Sequence, residues 1–192
     1  MLVKNVISIP LRLIKLLYFK LSLGDFGWNS KIICPLKIQG GGNVHVGHHV
    51  SIHYKTWLAA LPLTGADKCE LIIDDGCIIG HFNHIIATKK VHIHKGVLTA
   101  DKVYISDNMH GYKNPDVYIM NQPIIQRNCV EIGEGSWLGE NVCVIGASVG
   151  KHCVIGANSV VTKDIPGYSV AVGSPARVIK KYDLNLKMLV KV

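Results

Sequence analysis

Ten histidines give this 192-residue chain its best supply of groups for chemistry at neutral pH: His45, His48, His49, His53, His81, His84, His92, His94, His110 and His152. Imidazole can take a proton near pH 7, and its neutral form binds zinc. Any one of them taken alone is more often a surface or structural residue than a catalytic one. His110 stands apart. It ends a repeat strand within VYISDNMHG (103–111), directly before an irregular stretch, GYKNPDVYIMNQPIIQRN (111–128), that breaks the pattern on either side. Irregular loops held on a regular scaffold are where function concentrates. His48 and His53 have the close spacing of two ligands in a three-histidine zinc site, but no third histidine stands at a suitable distance.

The six cysteines, Cys34, Cys69, Cys77, Cys129, Cys143 and Cys153, form no CxxC pair and no dense framework. They read as reduced, small, mostly buried residues of a cytoplasmic protein. The formal charge of +8 suits an anionic ligand, an acidic membrane surface or nucleic acid. No helix-turn-helix, finger or base-stacking signature accompanies it, which sets nucleic acid aside.

With 48% hydrophobic and 18% charged residues, the chain can bury one core without disulfide or metal staples. Residues 4–23 (KNVISIPLRLIKLLYFKLSL) are apolar, but Lys4, Arg12, Lys15 and Lys20 interrupt them, so no run approaches the roughly 20 residues of a transmembrane span. At helical spacing those cations share half of the wheel and Pro10 marks a start or kink. The segment is expected to form a basic amphipathic helix that either packs on its own domain or lies on the inner face of a membrane.

From about residue 31 the pattern becomes hexameric. Ile132, Leu138 and Val144 fall six apart, as do Val149, Ile155 and Val161 after a one-residue slip. Gly133, Gly139, Gly150 and Gly156 follow four of these starts, and Ser136, Ser148, Cys153 and Ser159 hold the small slot four residues in. Upstream, Ile73, Ile79 and Ile85 share one frame and Ile93, Thr99 and Ile105 a second, with Cys77, Val97 and Val103 in the corresponding slot. Steps of six make flat faces whose first residue points inward, three faces closing one coil and successive coils pairing in parallel. The expected fold is all-β, a parallel β-helix of hexapeptide repeats over 31–181, preceded by a helix and linker over 1–30 and followed by a tail over 182–192.

Three segments carry a family resemblance: VYISDNMHG at 103–111, EIGEGSWLGENV at 131–142 and VIGANSVVTKDIPGYSVAVGSPARVIKK at 154–181. They resemble the hexapeptide-repeat acyltransferases, which include galactoside, xenobiotic and bacterial O-antigen or capsule O-acetyltransferases. The resemblance implies left-handed coiling, against the usual crossover rule. It also implies a homotrimer with sites between subunits and transfer of an acetyl group from acetyl-CoA to a sugar or glycan hydroxyl. The basic N-terminal helix, in place of a short acidic helical motif, points to the surface-polysaccharide branch.

On that resemblance His110 occupies the histidine of a Ser-Asp-x-x-His segment and serves as general base. Asp107 either orients the imidazole or caps a corner. His84 and Asn83 are possible acceptor contacts, and Trp137 lines the acceptor or cofactor cleft. The backbone N–H of Gly139 would serve the thioester carbonyl and that of Ala157 the pantetheine arm. Thr162, Lys163 and Arg177 would meet the phosphates of CoA. No metal ligands are expected. The rival readings are a γ-type carbonic anhydrase-like zinc enzyme using His48 and His53, and a non-catalytic β-helix scaffold. The segment Trp57–Lys68 is expected to leave the repeat as an excursion.

Overall fold

The computed structural model describes residues 3–183 and 185–192, with side chains from Leu13 onward. Helix α1 (Val3–Ser22) leads into seven turns of a three-faced parallel prism. The first turn holds β1 (Asp25–Phe26), β2 (Lys31–Ile32) and β3 (Lys37–Gln39), and the second β4 (Val44–Val46), β5 (Ser51–Ile52) and β6 (Trp57–Ala60). The third has β7 (Glu70–Ile73), β8 (Ile78–Ile79) and β9 (His84–Ala87); the fourth has β10 (Lys90–Ile93), β11 (Leu98–Thr99) and β12 (Tyr104–Ser106). An antiparallel hairpin, β13 (Asn108–His110) and β14 (Ile124–Gln126), then interrupts the prism. It resumes with β15 (Val130–Ile132), β16 (Trp137–Leu138) and β17 (Cys143–Ile145), then β18 (Val154–Ile155), β19 (Val160–Val161) and β20 (Ser169–Val172). The chain closes with β21 (Arg177–Asp183) and β22 (Met188–Lys191), added antiparallel to β20.

Strands stack in register by face: β1, β4, β7, β10 and β15 on the first; β2, β5, β8, β11, β16, β18 and β20 on the second; β3, β6, β9, β12, β17 and β19 on the third. Ile132, Val149 and Ile165 continue the first face as single bridges. The hexad starts fill the interior: Ile73, Ile79, Ile85, Ile93, Ile105, Ile132, Leu138, Val144, Ile155 and Val161 are wholly buried. Each such side chain contributes about 1.5–3 kcal/mol of transfer free energy, and regular stacking gives all of them partners above and below.

Corner residues explain two of the histidines. Asn29, His49, Gly76, Gly96, Gly135 and His152 occupy equivalent turns between the first and second faces, all with positive φ. Asn can adopt this left-handed backbone at low cost through local hydrogen bonding, whereas histidine pays more of the penalty of about 1–2 kcal/mol. The neighbouring coils hold His49 and His152 there through His49 N–H to Trp28 O and His152 N–H to Glu134 O.

Three boundaries differ from the sequence expectation. The prism begins at Asp25 rather than residue 31, because Phe26, Ile32 and Ile38 already form a hexad frame that the weak strand character of DFGWNS conceals. Residues 182–192 are not a tail: β21 and β22 extend the second face as a hairpin. Trp57–Ala60 stays in the third face, so only residues 61–69 leave the repeat.

Helix α1 closes the N-terminal end of the prism. Phe19 and Leu23 are buried, and the Phe19 ring sits 5.4 Å from that of Phe26. Leu13, Ile14, Leu17, Tyr18 and Leu21 remain exposed beside Lys15 and Lys20. Packing on its own domain is therefore realised on one face only; the side chains of Lys4, Pro10 and Arg12 lie outside the described residues. No described helix is long and apolar enough to cross a membrane.

Candidate active site

His110 leaves the prism on the hairpin β13–β14, where it pairs with Ile124 and its side chain is exposed. The hairpin departs at a turn that Ser106 shapes, its Oγ accepting from Asn108 N–H at 3.1 Å and donating to Asn108 O at 3.0 Å. Arg127 N–H and Gln126 Nε2 both donate to the carbonyl of Asp107, at 2.7 and 2.8 Å, so the two strands are tied at their root. The outer loop is ordered by Gln122, whose Nε2 donates to Asn114 O and Val117 O at 2.8 Å each. The scaffold thus presents His110 on an arm that is fixed at its base and organised at its tip. That tip carries Tyr118, Ile119 and Met120, which are 80%, 57% and 83% exposed. Such an apolar cluster is costly in water unless a partner covers it.

Asp107 does not touch His110. Its carboxylate is fully buried and accepts from the backbone N–H groups of Thr88, Lys89 and Lys90, from Thr88 Oγ1 and from Asn108 Nδ2. Of the two roles open to it, it has the corner-capping one. A buried carboxylate needs several donors, and the 88–90 turn supplies them.

Asn83 also turns inward. Its amide donates to Thr99 Oγ1 at 2.9 Å and Ala100 O at 3.1 Å and accepts from Val103 N–H, leaving it closed to an acceptor. The frame carries the signal: Asn83 stands four residues after Ile79, in the small inward slot that Cys77 holds after Ile73. His84 points outward in a row with Trp57 and Tyr104, its ring 5.4 Å from Trp57.

Trp137 lies on the second face, half exposed, between Leu98 and Val154. It therefore stands on a different face from the one whose end launches the His110 arm, and the described chain does not bring the two together. The N–H of Gly139 is not free for a thioester, because it donates to Ile155 O at 2.8 Å in the coil-to-coil ladder. The glycine instead keeps space open: a Cβ there would lie 2.7 Å from Ala157 N. Ala157, Thr162 and Lys163 are exposed on the sixth turn. Arg177 is brought beside that turn because Gly173 O and Ala176 N–H bond Val160 of β19.

Four of the six cysteines are held as thiols. Burial pushes the thiols of Cys69 and Cys77 up to about 11 and raises those of Cys143 and Cys153, so all four stay protonated at neutral pH. The described chain does not gather His48 and His53 into a zinc site. His48 Nδ1 accepts from Trp28 N–H, and His53 packs edge-on against His81, burial lowering its proton affinity. Among the described residues the one three-donor cluster is Asp74, His92 and His94, which includes neither.

These features define a parallel β-helix enzyme scaffold with a histidine on a projecting arm. Residues 129–163 match the family model described as the hexapeptide repeat of succinyl-transferase. A protein of Escherichia coli K12 provisionally named lipopolysaccharide biosynthesis O-acetyl transferase WbbJ is 34% identical over 170 residues, covering 83% of each chain. The solved maltose O-acetyltransferase of Clostridium difficile 630 is 29% identical with a TM-score of 0.52, covering 86% of this chain and 73% of that one. AntD, an N-acyltransferase from Bacillus cereus solved with dTDP and 3-hydroxybutyryl-CoA, superposes with a TM-score of 0.71 at 15% identity over 87% of each chain. The chain belongs to the hexapeptide-repeat acyltransferase family, with its left-handed β-helix. It is an acyltransferase related to sugar-modifying enzymes.

Proposed function

We propose that the protein transfers an acetyl group from acetyl-CoA to a sugar hydroxyl during surface-polysaccharide assembly, with His110 removing the hydroxyl proton. The observation that carries this reading is the placement of His110: an exposed imidazole on an arm rigidly rooted in the prism, open to a substrate and close to no competing carboxylate among its hydrogen-bond partners. A sugar hydroxyl hardly ionises at neutral pH, so direct attack on a thioester needs a base that accepts the proton as the C–O bond forms. Collapse of the tetrahedral intermediate then expels the CoA thiolate, which takes up the proton. The likeness to WbbJ favours oxygen as the nucleophile and a lipopolysaccharide glycan as the acceptor class.

The cofactor groove in this reading runs past Trp137, Gly139 and Ala157 to Thr162, Lys163 and Arg177. His110 and Trp137 stand on different parts of one chain, and the arm ends in the exposed Tyr118, Ile119 and Met120. A homotrimer resolves both facts at once: the arm of one subunit lies against the face of the next, covers the apolar tip and joins the base to the groove. The exposed side of α1, with Lys15 and Lys20, would hold the trimer at an anionic inner membrane surface where lipid-linked acceptors are met. The test is mass spectrometry of surface glycans from cells with and without the protein, paired with light scattering. Loss of one acetyl unit and a mass of three chains are expected; unchanged glycans reject the acceptor class, and a monomer mass at micromolar concentration rejects the shared site.

A further inference from the structure

On the outer side of the first face, away from every group assigned above, three coils bring potential metal ligands to one point. Asp74 follows β7 on the third coil, and His92 and His94 lie on and just after β10 on the fourth. Glu131 of β15, on the fifth, is directly in register with His92. Asp74 Oδ2 lies 3.0 Å from His92 Nε2 and 3.6 Å from His94 Nδ1, and the two imidazoles stack with centroids 3.9 Å apart. All three donor atoms fall within 4.8 Å of one another.

We infer that Asp74, His92 and His94 form a binding site for a divalent transition metal of the zinc class, which clips the third and fourth coils together. Two nitrogen donors and one carboxylate oxygen are a set that such ions prefer over magnesium or calcium. Ligands at about 2.0–2.1 Å in tetrahedral geometry stand about 3.3 Å apart. The observed 3.0 and 3.6 Å bracket that spacing, and the two rings would turn out of their mutual stack to aim both in-plane lone pairs at one ion. Glu131 supplies the second observation: its Oε2 lies 3.5 Å from His94 Nε2. Closing by a few tenths of an ångström, that carboxylate would accept the Nε2 proton and leave the Nδ1 lone pair toward Asp74, the orienting arrangement usual behind metal-bound histidine. At His92 the ring proton moves from Nε2 to Nδ1 when the metal takes the Nε2 lone pair, so neutral imidazole binds without net proton loss. The fourth position faces solvent and would hold water. The ion is not assigned to acyl transfer; its effect is on the cohesion of the coils.

The test uses full-length, untagged protein with Cys34→Ser to remove the exposed thiol, stripped with chelator and titrated with Zn²⁺ in a competition assay and by thermal melting. One ion per chain with a dissociation constant in the micromolar range or below is expected. At a hundredfold excess over that constant, the melting temperature rises by about 5–10 °C. Asp74→Asn, which preserves packing, and His92→Ala should each weaken binding at least tenfold, and Glu131→Gln about ten- to a hundredfold. His81→Ala, which alters the other histidine pair, should bind as the parent. Co²⁺ in place of zinc should give a nitrogen and oxygen spectrum without a thiolate charge-transfer band. The inference is overturned if Asp74→Asn and His92→Ala bind Zn²⁺ like the parent, if the thiolate band appears, or if the parent shows no saturable binding below about 0.1 mM, weaker than sites of this donor set.

Discussion

Gln126 Nε2 donates to the backbone carbonyl of Asp107 at 2.8 Å, while the Asp107 carboxylate caps the turn at Thr88–Lys90 on the coil below. One residue thus anchors both the root of the His110 arm and the stacking of the third coil on the fourth. Thr64 Oγ1 completes the knot by donating to Gln126 Oε1 at 2.6 Å, which also ties in the 61–69 excursion, and the single proton of Thr88 Oγ1 lies between that oxygen, at 3.0 Å, and the Asp107 carboxylate, at 2.9 Å.

Replacing Asp107 by Ala removes the acceptor from three backbone donors, that of Thr88 buried and those of Lys89 and Lys90 partly so. At about 1–3 kcal/mol for each buried group left unsatisfied, a destabilisation of about 3 kcal/mol or more is expected. For a chain of this size that lowers the melting temperature by about 6–12 °C. Asp107→Asn, keeping one acceptor oxygen, should fall in between. Calorimetry checks this, and a melting curve unchanged by Asp107→Ala would show that the cap is dispensable.

Lys163 and Arg177 should govern cofactor affinity rather than acceptor affinity. Each charge-assisted phosphate contact is worth about 1.5–3 kcal/mol, so either alanine variant should weaken acetyl-CoA binding roughly ten- to a hundredfold. Calorimetric titration of acetyl-CoA into the folded variants reads the effect directly. Parent-like affinity in both would move the groove elsewhere.

How far the sequence reached depends on periodicity. Where aliphatic residues recur every six positions, as from Ile73 to Ile105 and from Ile132 to Val161, each residue's inward direction follows from its place in the hexad, and burial agrees. The same frame could have turned Asn83 inward. The first coil was hidden because β1 is only two residues long, and the terminal hairpin because β21 and β22 pair antiparallel and obey no hexad. His110 was legible as a break in the pattern. Bonds made by backbone groups, such as Gly139 N–H to Ile155 O, leave no trace in residue type, and the Asp74, His92 and His94 cluster appears only once coil register is known.

The exposed side of α1 offers a separable test of membrane contact. Deleting residues 1–23 would strip Phe19 and Leu23 from the end of the core, so substitution is the cleaner experiment. Changing Leu13, Leu17 and Leu21 together to Gln leaves that cap intact. Sedimentation with anionic vesicles should fall while soluble-donor activity and melting temperature hold. Equal sedimentation of parent and variant would assign this face to protein contacts instead.

The central claim rests on His110, and single-turnover kinetics of His110→Ala with its natural acceptor test it most directly. The variant should fold, assemble and bind acetyl-CoA as the parent does, because the exposed imidazole makes no hydrogen bond within the described residues. The transfer rate should fall about a hundredfold to ten-thousandfold, the usual worth of a general base. A variant that transfers acetyl groups at the parental rate would contradict the assignment and pass the role to His84, the next outward-facing histidine on the third face.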